Sequence, residues 1–132
     1  MRAVIDTNVL VSALLNPSGA PARVLALVNH EKVTPYFDAR VLQEYREVPT
    51  RDEFGFDHNA IRAVLAAFTA FGQATTPPPL TPLEPDPDDT PFYEVAVASD
   101  AILITGNLKH YPEDPRVRSP GEFLSQWTGP SS

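Results

Sequence analysis

The sequence predicts an α/β protein: a three-layer α/β/α sandwich around a central, mainly parallel sheet of about four to five strands. Three observations predict it. Unbroken apolar runs at Ala3-Val4-Ile5 and Ala101-Ile102-Leu103-Ile104 read as short buried strands. Between them, apolar residues recur at helical spacing. The two patterns alternate along the chain, which argues for a parallel sheet with helices on both faces. There is no internal repeat.

The elements follow in order. Arg2 to Asp6 is a strand whose carboxylate comes where the apolar run stops. Val9, Leu10, Ala13 and Leu14 then mark a helix, which Asn16-Pro17-Ser18-Gly19 ends. Pro21 can start a second helix with Val24, Leu25 and Val28 on one face, ending near His30-Glu31-Lys32. Val33 to Phe37 is a strand candidate weakened by Pro35, and Asp38 caps a helix that runs to about Val48 before Pro49. Asp57 caps another, carried by Ile61, Val64, Leu65, Phe68 and Phe71, with Gly72 as its stop. Thr76 to Pro91 holds seven prolines and reads as an extended connection. A helix over Pro91 to Ser99 has Thr90 as its cap and Pro91 in its first turn. The strand Ala101 to Thr105, a short strand around Val117 and a last helix from Ser119-Pro120 complete the order. Trp127, with Phe123 and Leu124, covers the core at the C-terminal end.

The 132 residues suit one domain, 1–132, with the proline-rich loop 76–91 inside it, because the 41 residues beyond that loop are too few for a core of their own. Without cysteine there is no disulfide framework, thiolate zinc site or cysteine nucleophile. No apolar stretch approaches the ~20 residues of a membrane span, and Asp6 interrupts the short run Ala3-Val4-Ile5 that follows Met1-Arg2, so the expected address is the cytoplasm and no membrane partner is expected. Ten basic against seventeen acidic side chains give a net charge of −7, the wrong sign for generic polyanion binding. If nucleic acid is the substrate, a divalent metal is the obvious local neutraliser.

The acids are unevenly placed. Asp6 and the Thr105-Gly106-Asn107 turn both sit at the carboxyl ends of strands, where ligands bind in parallel sheets; the plainer alternative for Asp6 is a helix cap. On the helix Asp38 to Val48, Glu44 falls about 40° outside the apolar stripe of Val41, Leu42, Tyr45 and Val48, at its border, whereas Gln43 and Glu47 face water. Glu84, Asp86, Asp88, Asp89 and Glu94 crowd the entry to the helix at Pro91. A helix dipole accounts for one or two of them; five repel one another unless a cation sits among them. Hard cations take oxygen ligands, so carboxylates from three segments make a plausible Mg²⁺ or Mn²⁺ site.

Four stretches carry a resemblance. They are Ala3-Val4-Ile5-Asp6-Thr7-Asn8-Val9-Leu10-Val11-Ser12-Ala13-Leu14, then Leu42-Gln43-Glu44-Tyr45-Arg46-Glu47-Val48, then Asp86-Pro87-Asp88-Asp89 with Phe92 and Glu94, and last Ile104-Thr105-Gly106-Asn107 with Lys109-His110. In order and spacing they resemble the motifs of PIN domains, particularly the VapC-like branch of toxin components in toxin–antitoxin systems. The resemblance implies a Mg²⁺- or Mn²⁺-dependent endoribonuclease that hydrolyses phosphodiester bonds of single-stranded or structured RNA. It makes Asp6, Glu44 and Asp89 the catalytic, metal-holding acids, with Asp88 an additional ligand. Asn8, Ser12, Glu94 and Thr105 become supporting residues. Many PIN domains have Asp where this chain has Asn107, which as a neutral amide ligand favours one tight metal, with a second recruited by substrate phosphate. Arg46, Arg51, Lys109, His110, Arg116 and Arg118 are the basic residues nearest the motifs and so the candidates for gripping RNA, with Lys109-His110-Tyr111 foremost because it combines charge and a stackable ring. An antitoxin protein and a homodimer are the partners the family implies.

Two other functions compete. An aspartyl-phosphate phosphatase would use Asp6 as nucleophile, but that chemistry usually wants a second acid two residues on, where this chain has Asn8. The other is a PIN-like module with weak catalysis, binding RNA or protein, which Asn107 favours.

Overall fold

The computed structural model describes residues 1–80, 82 and 87–127. Five strands form one parallel sheet: β1 (Arg2–Ile5), β2 (Thr34–Phe37), β3 (Gln73–Ala74), β4 (Ile102–Ile104) and β5 (Val117–Arg118), in the order β3-β2-β1-β4-β5. Six helices flank it: α1 (Thr7–Leu15), α2 (Ala20–Asn29), α3 (Ala39–Glu47), α4 (His58–Phe71), α5 (Thr90–Ser99) and α6 (Pro120–Ser125). The predicted α/β/α sandwich is thus the observed fold, at the upper end of the expected strand number. Among the described residues no single helix is long and apolar enough to cross a membrane.

Local signals account for most of these elements. Asp38 Oδ1 accepts from the Val41 N–H at 2.9 Å and starts α3, and Asp57 Oδ1 accepts from the Asn59 N–H at 2.9 Å and starts α4. Ser119 and Glu122 exchange the two hydrogen bonds of a capping box on α6. Pro35 lies inside a strand that is paired on both sides, and the register explains its tolerance. The Thr34 N–H donates to Met1 across the β1 side, so the N–H that Pro35 lacks would point the other way, and β3 begins only at Gln73, opposite Tyr36.

Two elements differ from expectation. β3 is two exposed residues with no apolar signature, and it pairs with β2 because Gly72 lets the chain pass close: a Cβ there would lie 2.6 Å from the Pro35 carbonyl oxygen. Thr90 is the first residue of α5 rather than its cap, and Asp89, at the end of a 3-10 turn over Pro87–Asp89, takes the capping position. Residues 76–80 and 82 of the proline-rich connection form neither helix nor strand, and Glu84 and Asp86 lie outside the described residues.

Helix α5 packs on β1, β2 and β4 and on α3, while α1 packs on α2 and α2 on α6. Tyr45, from α3, is fully buried, with its ring edge-on to Phe68 at 5.2 Å and tilted against Phe92 at 6.3 Å. Its hydroxyl donates to the Ile5 carbonyl, tying α3 to the end of β1. Trp127 packs against Phe123 at 5.8 Å on the core's C-terminal side, as expected.

Candidate functional site

The direction of strand succession reverses at β1, whose neighbours are β2 and β4, and ligands of open parallel sheets bind beyond the carboxyl ends of strands at such a point. Asp6 follows β1 and Thr105 follows β4, held together by Ile5–Ile104 pairing and by the Asp6 N–H donating to Ile104 at 2.9 Å. Asp6 occupies the capping position of α1 yet makes no side-chain capping bond. Instead its Oδ2 accepts from the Tyr111 hydroxyl at 2.8 Å, the Thr105 hydroxyl at 2.9 Å and, more weakly, Asn8 Nδ2 at 3.4 Å. The carboxylate is only 5% exposed. Burial raises its pKa, and the Tyr111 and Thr105 hydrogen bonds oppose the rise.

A second chain of contacts runs from β4 to α5. Thr105 Oγ1 accepts from the Asn107 N–H at 3.0 Å, and Asn8 Oδ1 accepts from the Gly106 N–H at 2.8 Å. The Asn107 amide then meets His110 Nε2 at 2.8 Å, and His110 Nδ1 meets Asp89 Oδ2 at 2.9 Å. An amide donating to Nε2 leaves the ring proton on Nδ1, where it can be donated to Asp89.

Glu44 completes the set from α3. Its half-buried carboxyl is pushed up to about 7, first by burial and then by the charges of Asp6, Asp89 and Asp88; the nearest hydroxyl on α1 is that of Thr7. That hydroxyl is buried and lies outside hydrogen-bond geometry with every described residue. Asp6, Glu44, Asp88 and Asp89 line one cleft of about 470 Å³, together with Asn8, Ser12, Asn107 and His110.

The remaining candidates lie elsewhere. Glu94 does not line this cleft: it is buried on α5, accepts from Arg40 Nη1 at 2.7 Å and from the Leu80 N–H, and sits with Asp38 at a separate pocket. Arg40 claims it because a carboxylate this deeply buried needs a cation and donors. Lys109 and Arg46 are exposed and do not line the cleft. Tyr111 is buried rather than presented for stacking on RNA, with its ring 6.5 Å from that of Tyr93. Sequence reasoning missed its bond to Asp6 and missed Phe54, which lines the cleft with Val48 of the second motif and with Arg51, one of the basic residues nearest the motifs. Only the nearness of Arg51 to the second motif hinted at that part of the cleft.

A PIN domain family profile matches residues 2–109. The chain belongs to the PIN domain family. It is also 36% identical, over 110 residues, to an uncharacterized protein of Methanocaldococcus jannaschii, covering 81% of this chain and 71% of that one. No solved structure matches it. PIN domains have a nuclease-type fold and are in general metal-dependent nucleases.

The donor set of this PIN domain fits a hard divalent cation, since Asp6, Glu44, Asp88 and Asp89 with the amides of Asn8 and Asn107 offer only oxygen ligands. Repulsion from the neighbouring carboxylates adds to burial in raising the Glu44 pKa, and a cation would relieve that part. Among the described residues no three acidic or histidine side chains already stand in a ligating array. One oxygen of Asp6 is engaged by Tyr111 and Thr105, and one of Asp89 by His110, so each carboxylate is held in a defined orientation.

Proposed function

We propose that this PIN domain is a metal-dependent endoribonuclease, cleaving phosphodiester bonds of RNA with Mg²⁺ or Mn²⁺ held by Asp6, Glu44 and Asp89 and assisted by Asp88 and Asn107. The observation that carries the reading is the convergence of carboxylates from three distant segments in one cleft. When bound, the metal supplies Lewis acidity toward the phosphoryl oxygen and activates water for attack. The protein's own part is positional and protonic. Tyr111 and Thr105 fix the orientation of Asp6, and His110 does so for Asp89. One of the clustered carboxylates, ionised beside the cation, is suited to accept the proton of the attacking water. No protein nucleophile is needed, and Asn8, engaged by Gly106, is no second acid for an aspartyl-phosphate route.

The test is cleavage of several labelled RNAs with Mn²⁺ by wild type, Asp6→Asn and Asp89→Asn. Activity lost in both variants with the fold intact supports the reading; an inert wild type across all substrates removes it. The second reading, a catalytically weak module that binds RNA or protein, is favoured by Asn107, which puts a neutral amide in the cleft, and the same assay separates the two.

A toxin role in the cytoplasm, with an antitoxin partner and a homodimer, rests on the sequence resemblance. Its test is growth arrest on expression, relieved by a co-expressed neighbouring gene product.

A further inference from the structure

A cleft lined by four carboxylates on a chain of net charge −7 repels a polynucleotide, so substrate must be held by something besides bulk electrostatics. The loop after α3 supplies it. Pro49 ends the helix, a 3-10 turn over Asp52–Phe54 follows, and Gly55 reverses the chain at φ 63, a conformation that favours glycine. The turn sets the rings of Phe54 and Phe56 parallel, 5.3 Å apart at an interplanar angle of 5°. Both rings are half-exposed, and neither belongs to the core or to the side chains packed against it. Phe54 lines the acid cleft itself. So does Arg51, the one lysine or arginine lining it; it is exposed and forms no ion pair among the described residues.

An aromatic pair held outside the core, beside a cation and at the edge of a phosphodiester-type site, has a specific use. We infer that Phe54, backed by Phe56, stacks an unpaired nucleobase while Arg51 meets a flanking phosphate, so that the cleft selects single-stranded over duplex nucleic acid. The inference rests on the nuclease reading and adds the residues that grip its substrate. Every base has a π face, but in a duplex both faces are covered by neighbouring pairs, so a ring platform discriminates by strandedness rather than by sequence. Arg51 suits the role because its guanidinium is always charged and matches phosphate oxygens in a fork.

The experiment measures fluorescence anisotropy of a short labelled single-stranded RNA and of its duplex, in Ca²⁺ at low salt. Wild type should prefer the single strand, and Phe54→Leu, which keeps apolar volume without a π face, should weaken single-strand binding roughly ten-fold while leaving duplex binding unchanged. Phe54→Trp should bind as wild type, with its added fluorescence quenched by the RNA. Arg51→Gln should reduce the salt slope of log affinity by about 1. Unchanged single-strand affinity in Phe54→Leu overturns the inference, as does an equal loss for both RNAs. A changed sedimentation coefficient with affinity intact overturns it too, and makes the loop a protein contact. Mn²⁺-dependent cleavage is followed on the same preparations. If Phe54→Leu cleaves the single strand as well as wild type does, the inference falls and the nuclease reading stands. A wild type that neither binds nor cleaves RNA removes both.

Discussion

The Tyr111 hydroxyl donates to Asp6 Oδ2 at 2.8 Å, joining residues 105 positions apart. Burial raises the tyrosine's pKa, and the Asp6 charge raises it further, so the phenol remains a proton donor throughout the working range. The bond sets which way the first of the cleft's acids faces.

Tyr111→Phe removes that donor and leaves the ring. A hydrogen bond to a charged group contributes about 1.5–3 kcal/mol, so near neutral pH the variant should lose about that much stability, less where Asp6 is protonated. Mn²⁺ affinity, read by titration calorimetry, should fall roughly ten-fold because an orienting partner is lost. Wild-type values for both would show that Asp6 does not depend on Tyr111.

Arg40 links Asp38 at 2.6 Å to Glu94 at 2.7 Å, and so ties the start of α3 to α5, the helix behind Asp88 and Asp89. The Glu94 side chain is 2% exposed, against 50% for Arg40. Arg40→Ala strands the buried carboxylate and should cost about 3 kcal/mol, the low end for a broken buried pair because the arginine is half in water. Arg40→Ala with Glu94→Gln should recover part of that loss in chemical denaturation, since the amide oxygen still accepts from Leu80. A double variant as unstable as the sum of the singles would refute the coupling.

Glu44 gives a pH dependence of defined sign. Its folded pKa is about 7, above the ordinary glutamate value of 4.5, so the folded state holds the proton more tightly than the unfolded state. Metal-free stability from this group is therefore highest below the unfolded value and declines as pH rises through 7. The melting temperature should fall across that window in chelator, and Glu44→Gln should flatten the fall. Mn²⁺ should reverse it, because the metal takes the ionised form and releases the proton. A profile identical in Glu44→Gln would assign the slope elsewhere.

Asn107→Asp adds a carboxylate to the cleft and removes the amide that donates to His110 Nε2. The variant should be less stable than wild type in chelator and gain more from millimolar Mn²⁺. Activity on single-stranded RNA should hold or rise, because the extra charge strengthens a second cation. Lower Mn²⁺ stabilisation than wild type would show that Asn107 serves His110 alone.

The order of strands and helices was legible in the sequence because its causes are local: caps at Asp38, Asp57 and Ser119, apolar periods of three and four, and stops at Asn16-Pro17 and Pro49 act within a turn or two. Family motifs likewise pointed to Asp6, Glu44, Asp88, Asp89 and Asn107, which the fold brings to one cleft. Tertiary structure alone decided what these groups touch. Glu94 shares a stretch with Asp88 and Asp89, but its helix turns it toward Arg40, 54 residues away. Tyr111 follows the fourth motif and turns inward to Asp6. β3 exists because β2 left an edge and Gly72 allowed close approach. Helix periodicity states which face is buried; the partner on that face is set by how the sheet orders its strands, which no local window contains.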